Sequence, residues 1–291
     1  MLSFTPRDTP QNILHGHLVG SIGPRPICFA STIDEHGQPN LSPFSFFNIF
    51  GSNPPIAVFS PARSGRTLQP KHTHLNVLKV PEVVINVVTY AMVQQASLAS
   101  AEYPKEVNEF VKSGFTPIAS EKVRPFRVKE SPVQMECKVL EVKETGSGGG
   151  SGNLIICEII LIHINEDILN EDKRINPNKI DLVGRMGGNW YCRASGNALF
   201  ELAQPGPNLG IGIDSLPASI KNSKILTGNN LGQLGNVTSM PSSEKIAAYK
   251  STEDYSLMKN LTTQELHTAA KKLLDNGKVE EAFTLLLACE K

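Results

Sequence analysis

Two long β-type runs, residues 133–144 and 154–165, stand on either side of a nine-residue connector, Thr145-Gly-Ser-Gly-Gly-Gly-Ser-Gly-Asn153. Runs of that length joined this closely predict an antiparallel hairpin, which commits the middle of the chain to a meandering sheet. The connector reads as a long flexible loop whose glycines supply positive φ and little to pack. The stretch 154–164 is apolar on both faces, as suits a central strand covered on two sides. Further short runs rich in β-branched residues, at 26–33, 56–60 and 83–89, are bounded by Gly or Pro and predict more strands. Helical patterns interrupt them at 91–101 and 106–113, the second stopped by Gly114. No βαβ alternation recurs, and neither GxGxxG nor GxxxxGK[ST] occurs. A doubly wound nucleotide-binding fold is thereby disfavoured.

After about residue 204 the character changes. Residues 205–243 are rich in Gly, Asn, Ser and Pro and read as an extended, surface-hugging segment. Thr262-Thr-Gln-Glu265 then forms a capping box, followed by Leu266, Ala269, Ala270, Leu273 and Leu274 at helical spacing. Asn276-Gly277 stops this helix and 279–289 starts another, predicting a helical hairpin over 262–289. The expected organisation is a mainly β domain over 1–204 and a C-terminal extension over 205–291, docked as an appendage and not an independent domain.

With 28 Lys+Arg against 28 Asp+Glu the net charge is zero, which argues against nucleic-acid binding and against a polybasic membrane surface. The beginning of the chain is polar and proline-containing, and no apolar run is long enough to span a bilayer, so the expectation is a cytoplasmic protein. Five cysteines without a CxxC pair read as reduced thiols, Cys28 and Cys157 as core residues. The pairs His15/His17 and His72/His74 lack a third ligand at metal-like spacing. Ser242-Ser-Glu-Lys245 matches SxxK formally but reads as a helix N-cap. Trp190 either walls a ligand site or anchors a loop.

The stretch 23–76 carries the chemistry. It alternates hydroxyls, amides, prolines and aromatics: Gly23-Pro-Arg-Pro26, Ala30-Ser-Thr32, Gly37-Gln-Pro-Asn40, Ser42-Pro-Phe-Ser-Phe-Phe-Asn48 and Asn53-Pro-Pro55. It closes on Ser60-Pro-Ala-Arg63 and Lys71-His-Thr73 with Asn76. Such a set suits a ligand with a flat, polar-edged ring at one end and a phosphate at the other. Arg63 and Lys71 would act as charge-assisted donors and Ser60 and Thr73 as hydroxyl donors. On composition alone, ordinary turn residues between strands explain the same pattern.

The order of these pieces resembles the flavin-reductase-like proteins, the FMN-binding split-barrel family, in its longer branch of NAD(P)H:flavin oxidoreductases and uncharacterised flavoproteins. The resemblance is carried by Arg25-Pro-Ile27, Ala30-Ser-Thr-Ile-Asp34, Gly37-x-x-Asn40-Leu-Ser-Pro-Phe-Ser-Phe-Phe-Asn48, Asn53-Pro-Pro, Lys71-x-Thr73-x-x-Asn76 and Val84-Ile-Asn86. Glu109-Phe, Gly114-Phe-Thr116, Ser131-Pro-Val, Glu136-Cys and Gly184-Arg-Met-Gly-Gly188 with Tyr191 continue it, so that it covers roughly 10–200. It implies a split β-barrel that binds FMN non-covalently, usually as a homodimer with the flavin near the subunit interface. Ala30, Ser31 and Thr32 would line the isoalloxazine; Asn40, Ser42, Pro43, Phe44 and Ser45 would flank ring and ribityl chain. Ser60, Arg63, Lys71 and Thr73 would take the phosphate. Gly187, Gly188 and Tyr191 would lie near the open ring face where a nicotinamide approaches, and no acid or base is assigned there. Many relatives carry Lys-Asp-Thr at Lys71-His72-Thr73, so a carboxylate that could orient Lys71 is missing from this motif.

The implied activity is hydride transfer from NAD(P)H to bound or exchangeable FMN, with reduced flavin passed to a flavin-dependent monooxygenase or another acceptor. Two alternatives accompany it. One is a flavoredoxin-like electron carrier with tightly held FMN. The other is a non-catalytic FMN-binding or interaction protein whose helical hairpin is the working part.

Overall fold

The computed structural model describes residues 1–202, 204 and 206–289, which fall into two compact units, Met1–Phe200 and Glu201–Lys291. In the first, helix α1 (Gln11–Ser21) precedes strands β1 (Cys28–Ile33), β2 (Pro39–Phe44), β3 (Phe47–Ser52) and β4 (Pro55–Phe59). Helix α2 (His72–Lys79), β5 (Glu82–Val87), α3 (Val93–Leu98), α4 (Glu109–Ser113) and the short β6 (Pro117–Ile118) and β7 (Arg127–Val128) follow. The long hairpin β8 (Val133–Glu144) and β9 (Asn153–Ile164) comes next, then α5 (Pro177–Ile180), β10 (Leu182–Arg185) and β11 (Tyr191–Ala194).

The large sheet has the order β2-β1-β5-β8-β9-β4-β3, antiparallel throughout. All six residues of β1 are buried, because it lies between β2 and β5 and is covered on both faces. Cys28 and Ala30 enter one core with Phe59, Ile85, Cys137 and Ile155. Phe29, on the opposite face, enters a second core with Leu41, Ala96 and Phe110. Two covered faces account for an apolar run that does not alternate.

The helix expected over 91–101 is a 3-10 turn, Tyr90–Met92, running into α3. Helix α4 is capped by the Asn108 side chain, which accepts from the Phe110 amide, and it ends on Gly114 in the left-handed region (φ 71°). The glycine-rich connector differs from expectation: it is pinned, not free. The Gly150 amide donates to the Arg63 carbonyl (3.0 Å) and the Arg63 amide to the Ser151 carbonyl (2.9 Å). A Cβ on Gly149 would stand 3.1 Å from the Gly65 Cα and 3.2 Å from the Ser64 carbonyl oxygen. The glycine permits close approach, and the hairpin tip becomes a backstop for the 64–68 loop.

The second unit is helical over much of the stretch expected to be irregular. It contains α6 (Ala218–Lys221), α7 (Gly228–Gly235), α8 (Ser243–Lys250) and α9 (Glu253–Met258) before the expected hairpin of α10 (Thr263–Asp275) and α11 (Val279–Cys289). It has its own core, including Ile220, Leu234, Leu266, Leu274, Phe283 and Leu286. Capping boxes start α7 (Thr227 with Asn230) and α10 (Thr262 with Glu265). The Ser242 hydroxyl accepts from the Lys245 amide at the head of α8, the N-cap expected from the sequence. Among the described residues no helix is long and apolar enough to cross a membrane.

Candidate functional site

Three chain segments enclose a cavity of about 330 Å³ in the first unit: β2, the 64–73 stretch and the 99–109 stretch. Its floor is a buried network centred on Asn40. The Asn40 amide nitrogen donates to Glu109 Oε1 (3.0 Å), and its Oδ1 accepts from the Thr73 hydroxyl (2.7 Å) and the Thr32 hydroxyl (3.4 Å). Asn76 Nδ2 donates to Thr32 Oγ1 (3.1 Å), which ties α2 to β1. Glu109 also accepts from the Leu41 amide (3.1 Å). Burial raises the Glu109 carboxyl above the usual carboxylate range, against the opposing pull of these hydrogen bonds.

At one end the cavity is cationic. Lys71 occupies the N-cap of α2 without a side-chain cap bond, so the helix start and its partial positive charge face the same space. Glu102 bridges Lys71 Nζ (2.8 Å) and Arg66 Nη2 (2.5 Å). Its hydrogen bond from Lys71, followed by that from Arg66, lowers its pKa to about 2. Glu102 therefore supplies the carboxylate partner that Lys71 lacks in its own motif, where His72 stands.

Of the four expected phosphate ligands, Lys71 and Thr73 line this cavity; Ser60 and Arg63 do not. The Ser60 hydroxyl accepts from the Asn153 amide (3.0 Å) at the root of the β8–β9 hairpin. Arg63 Nη2 faces Glu144 Oε1 (3.4 Å), which also meets His74 Nε2 (3.0 Å). Burial of His74 lowers its pKa despite Glu144. The donors found beside Lys71 are instead Arg66, Ser64 and Thr67, on the loop that the Gly149 backstop supports.

A second cavity of about 240 Å³ meets the first at Ser100 and continues along β2. Pro43 and Phe44 line it from β2 and Ser45 from just beyond the strand, with Ile27, Val88, Val93 and Ala96 as apolar wall and Arg185 and Tyr191 also lining it. The expected ring and ribityl residues thus divide: Asn40 and Ser42 belong to the polar cavity, Pro43 to Ser45 to the apolar one. Ala30, Ser31 and Thr32 line neither, since β1 is wholly buried; Thr32 takes part only through its bonds to Asn40 and Asn76. The Ser31 hydroxyl is buried without a partner. Tyr191 lines the cavity, whereas Gly187 packs on Gly20 and Gly188 forms a positive-φ turn (57°). Trp190 is 77% exposed, and only its backbone bonds to Met186 and Gly187 hold the turn.

Tyr191, Val93 and Ser97 also border a third cavity of about 190 Å³, with Tyr90 and Arg193. Arg193 stacks on Tyr90 (3.9 Å) and is paired through two 2.7 Å contacts with Asp181. His15 and His17 lie on α1, where a spacing of two does not share a face, and no metal-ligating group of three occurs among the described residues. Burial raises the thiols of Cys28, Cys137 and Cys157, as inert core residues require. The helical unit holds a larger open groove of about 1450 Å³ whose lining mixes Lys245, Lys272 and Lys278 with Glu265, Glu280 and Glu281. Its charges pair with one another, Lys245 with Glu280 and Lys278 with Glu281.

Known proteins resemble the first unit in sequence and fold. Residues 21–179 match the family model described as the flavin reductase like domain. An uncharacterised protein of Aquifex aeolicus is 36% identical over 202 residues, 69% of this chain and the whole of that protein. Among solved structures, nitrilotriacetate monooxygenase component B from Bacillus cereus is 28% identical with a TM-score of 0.64, over 69% of this chain and 98% of that one. A split-barrel domain protein from Shewanella frigidimarina is 25% identical with a TM-score of 0.59, over 70% of this chain and all of that one.

Proposed function

The chain belongs to the flavin reductase-like domain family, and on that premise we propose that it binds FMN non-covalently as an NAD(P)H:flavin oxidoreductase. The observation that carries this reading is the pair of cavities meeting at Ser100, cationic at one end and apolar at the other. Lys71, Arg66 and Ser64 are the donor chemistry a phosphate monoester requires, joined by the uncapped start of α2. Thr73 gives its hydroxyl proton to Asn40, so its contribution to a phosphate is its backbone amide. Pro43, Phe44 and Ser45 would border the ring, with Asn40 and Ser42 along the ribityl chain.

Bound there, flavin would accept a hydride equivalent from a nicotinamide, which is chemistry the cofactor carries. The protein's share is placement: the apolar wall of Ile27, Val88 and Ala96 excludes water, and Ser45 offers a hydroxyl at the ring edge. A homodimer is part of the proposal. Helix α1 has no buried residue, and Ile49, Phe50, Leu140, Ile162 and Ile164 expose apolar area that a second copy would cover.

The test is titration of the flavin-free protein with FMN and with riboflavin, followed by anaerobic addition of NADH or NADPH. Binding of FMN at least tenfold tighter than riboflavin, then bleaching of the flavin absorbance, is expected. Equal affinities would remove the phosphate site. Tight FMN without bleaching would assign the electron-carrier role instead. Partnership with a separate flavin-dependent monooxygenase follows if reduced flavin is released faster than it reoxidises in place.

A further inference from the structure

Two arginines stack on tyrosines around the apolar cavity, and only one of them is neutralised. Arg193, over Tyr90, is neutralised by Asp181, to which its Nε and Nη2 both donate. Arg185 lies over Tyr191 with its guanidinium carbon 4.6 Å from the ring centroid, and it forms no ion pair with a carboxylate among the described residues. Another cation, Arg25, only 7% exposed, is close enough to feel its charge.

Arg25 cannot share an incoming anion. Its Nη1 donates to the Val19 and Ile22 carbonyls (2.6 Å each), its Nη2 to the Met186 carbonyl (3.0 Å) and its Nε to the Ser45 hydroxyl (3.5 Å). Arg185 therefore lines the cavity as a cation without an ion pair among the described residues, with buried Arg25 behind it, and the free donors belong to Arg185. A guanidinium stacked on an aromatic face keeps its N–H edge open, and that edge matches a phosphate in two-point contact.

The phosphate of a flavin is already provided for at the opposite end, by Lys71 and Arg66. Tyr191 is a wall of both the apolar cavity and the third cavity, so a second ligand seated against it lies beside Arg185. We infer that Arg185 receives the phosphate groups of the second, nicotinamide-bearing ligand and so selects nucleotides over phosphate-free nicotinamides. This inference rests on the flavin reading above and adds the residue that recognises the reductant.

The experiment uses the full chain loaded with FMN, as wild type, Arg185→Gln and Arg185→Lys. Dissociation constants for NAD⁺ and for 1-methylnicotinamide, which has no phosphate, are measured by calorimetry in low salt. The wild type should prefer NAD⁺, Arg185→Gln should lower that preference by about tenfold or more, and Arg185→Lys, which keeps the charge but not the two-point edge, should restore only part of it. A preference unchanged in Arg185→Gln overturns the inference, as does a wild type with no preference. Equal weakening of both ligands would show Arg185 to be structural and overturns it too. Retained FMN absorbance separates these outcomes from failure of the flavin reading: a chain that never binds FMN sinks both, whereas FMN-loaded protein with an unaltered preference sinks only this one.

Discussion

Replacing Asn40 is the sharpest probe of the site, because one side chain joins β1, β2, α2 and α4. Asn40→Ala removes the acceptor for the Thr73 and Thr32 hydroxyls and the donor to Glu109, all within a buried network. Thr32 keeps its bond from Asn76 and Glu109 keeps that from Leu41, so the loss falls mainly on Thr73 and one carboxylate oxygen. Unsatisfied buried polar groups cost about 1–3 kcal/mol each, and partial hydration from the adjoining cavity reduces this. The expected total is about 2–3 kcal/mol, read as a fall in Tm of roughly 4–12 °C for a unit of this size. Asn40→Asp keeps the shape but sets a second carboxylate where 3.0 Å separated amide and Glu109. The pair would then hold a proton in the folded state more tightly than in the unfolded chain, so its folded pKa is raised. A raised acid favours folding when protonated, so stability is recovered as pH falls below the raised value and lost as pH rises through it. Denaturant melts between pH 5 and 8 test this. A loss under about 0.5 kcal/mol for Asn40→Ala, or an Asn40→Asp penalty equal at both pH values, would refute the network argument.

Other outcomes follow from the same geometry. Lys71→Met should weaken FMN by about tenfold or more in a fluorescence titration while leaving riboflavin within about twofold, since only the phosphate meets Lys71. Gly149→Ala should displace the 64–68 loop, because its Cβ would meet backbone at 3.1 and 3.2 Å; weaker FMN binding with a small change in Tm is expected. Glu102→Gln should strengthen binding of inorganic phosphate, followed by Lys71 and Thr73 amide shifts in NMR, by freeing two cations. The depressed Glu102 pKa means its ion pairs persist down through the ordinary carboxylate range and fade only as pH falls toward about 2. Leu274→Ala, at a fully buried position of the helical unit, should cost about 2–5 kcal/mol and appear as lost helix signal on melting.

Strands carrying continuous or β-branched apolar runs were legible from the sequence: β8 spans its expected residues, and β1, β4, β5 and β9 lie within a residue or two of theirs. Strands β2 and β3 were not, and both are edges of the sheet. An edge tolerates what a central strand cannot, so Pro39, Pro43 and Gly51 erased the pattern that marks a strand. Helix α1 left no amphipathic signal because it buries nothing. In the helical unit, Gly and Asn within α7 disguised a helix that Thr227 and Asn230 cap. Around the cavity, Asn40, Lys71 and Thr73 were readable because they lie in one ordered stretch. Glu102 and Glu109 were not, since they reach their partners from 31 and 69 residues away. Arg63 turns to Glu144 instead of the cavity, and Arg66, which lines it, stands in no motif that marks it in the sequence.

The bridge from Glu102 to Lys71 and Arg66 also bears on behaviour in a crowded solution. The two cations are already paired, so chloride or a stray carboxylate must compete with a side chain already in place. A dianionic ester, with more charge and more acceptors, does gain. The pocket thus sets an entry threshold, and the chain can keep an anion site without becoming a general collector of anions.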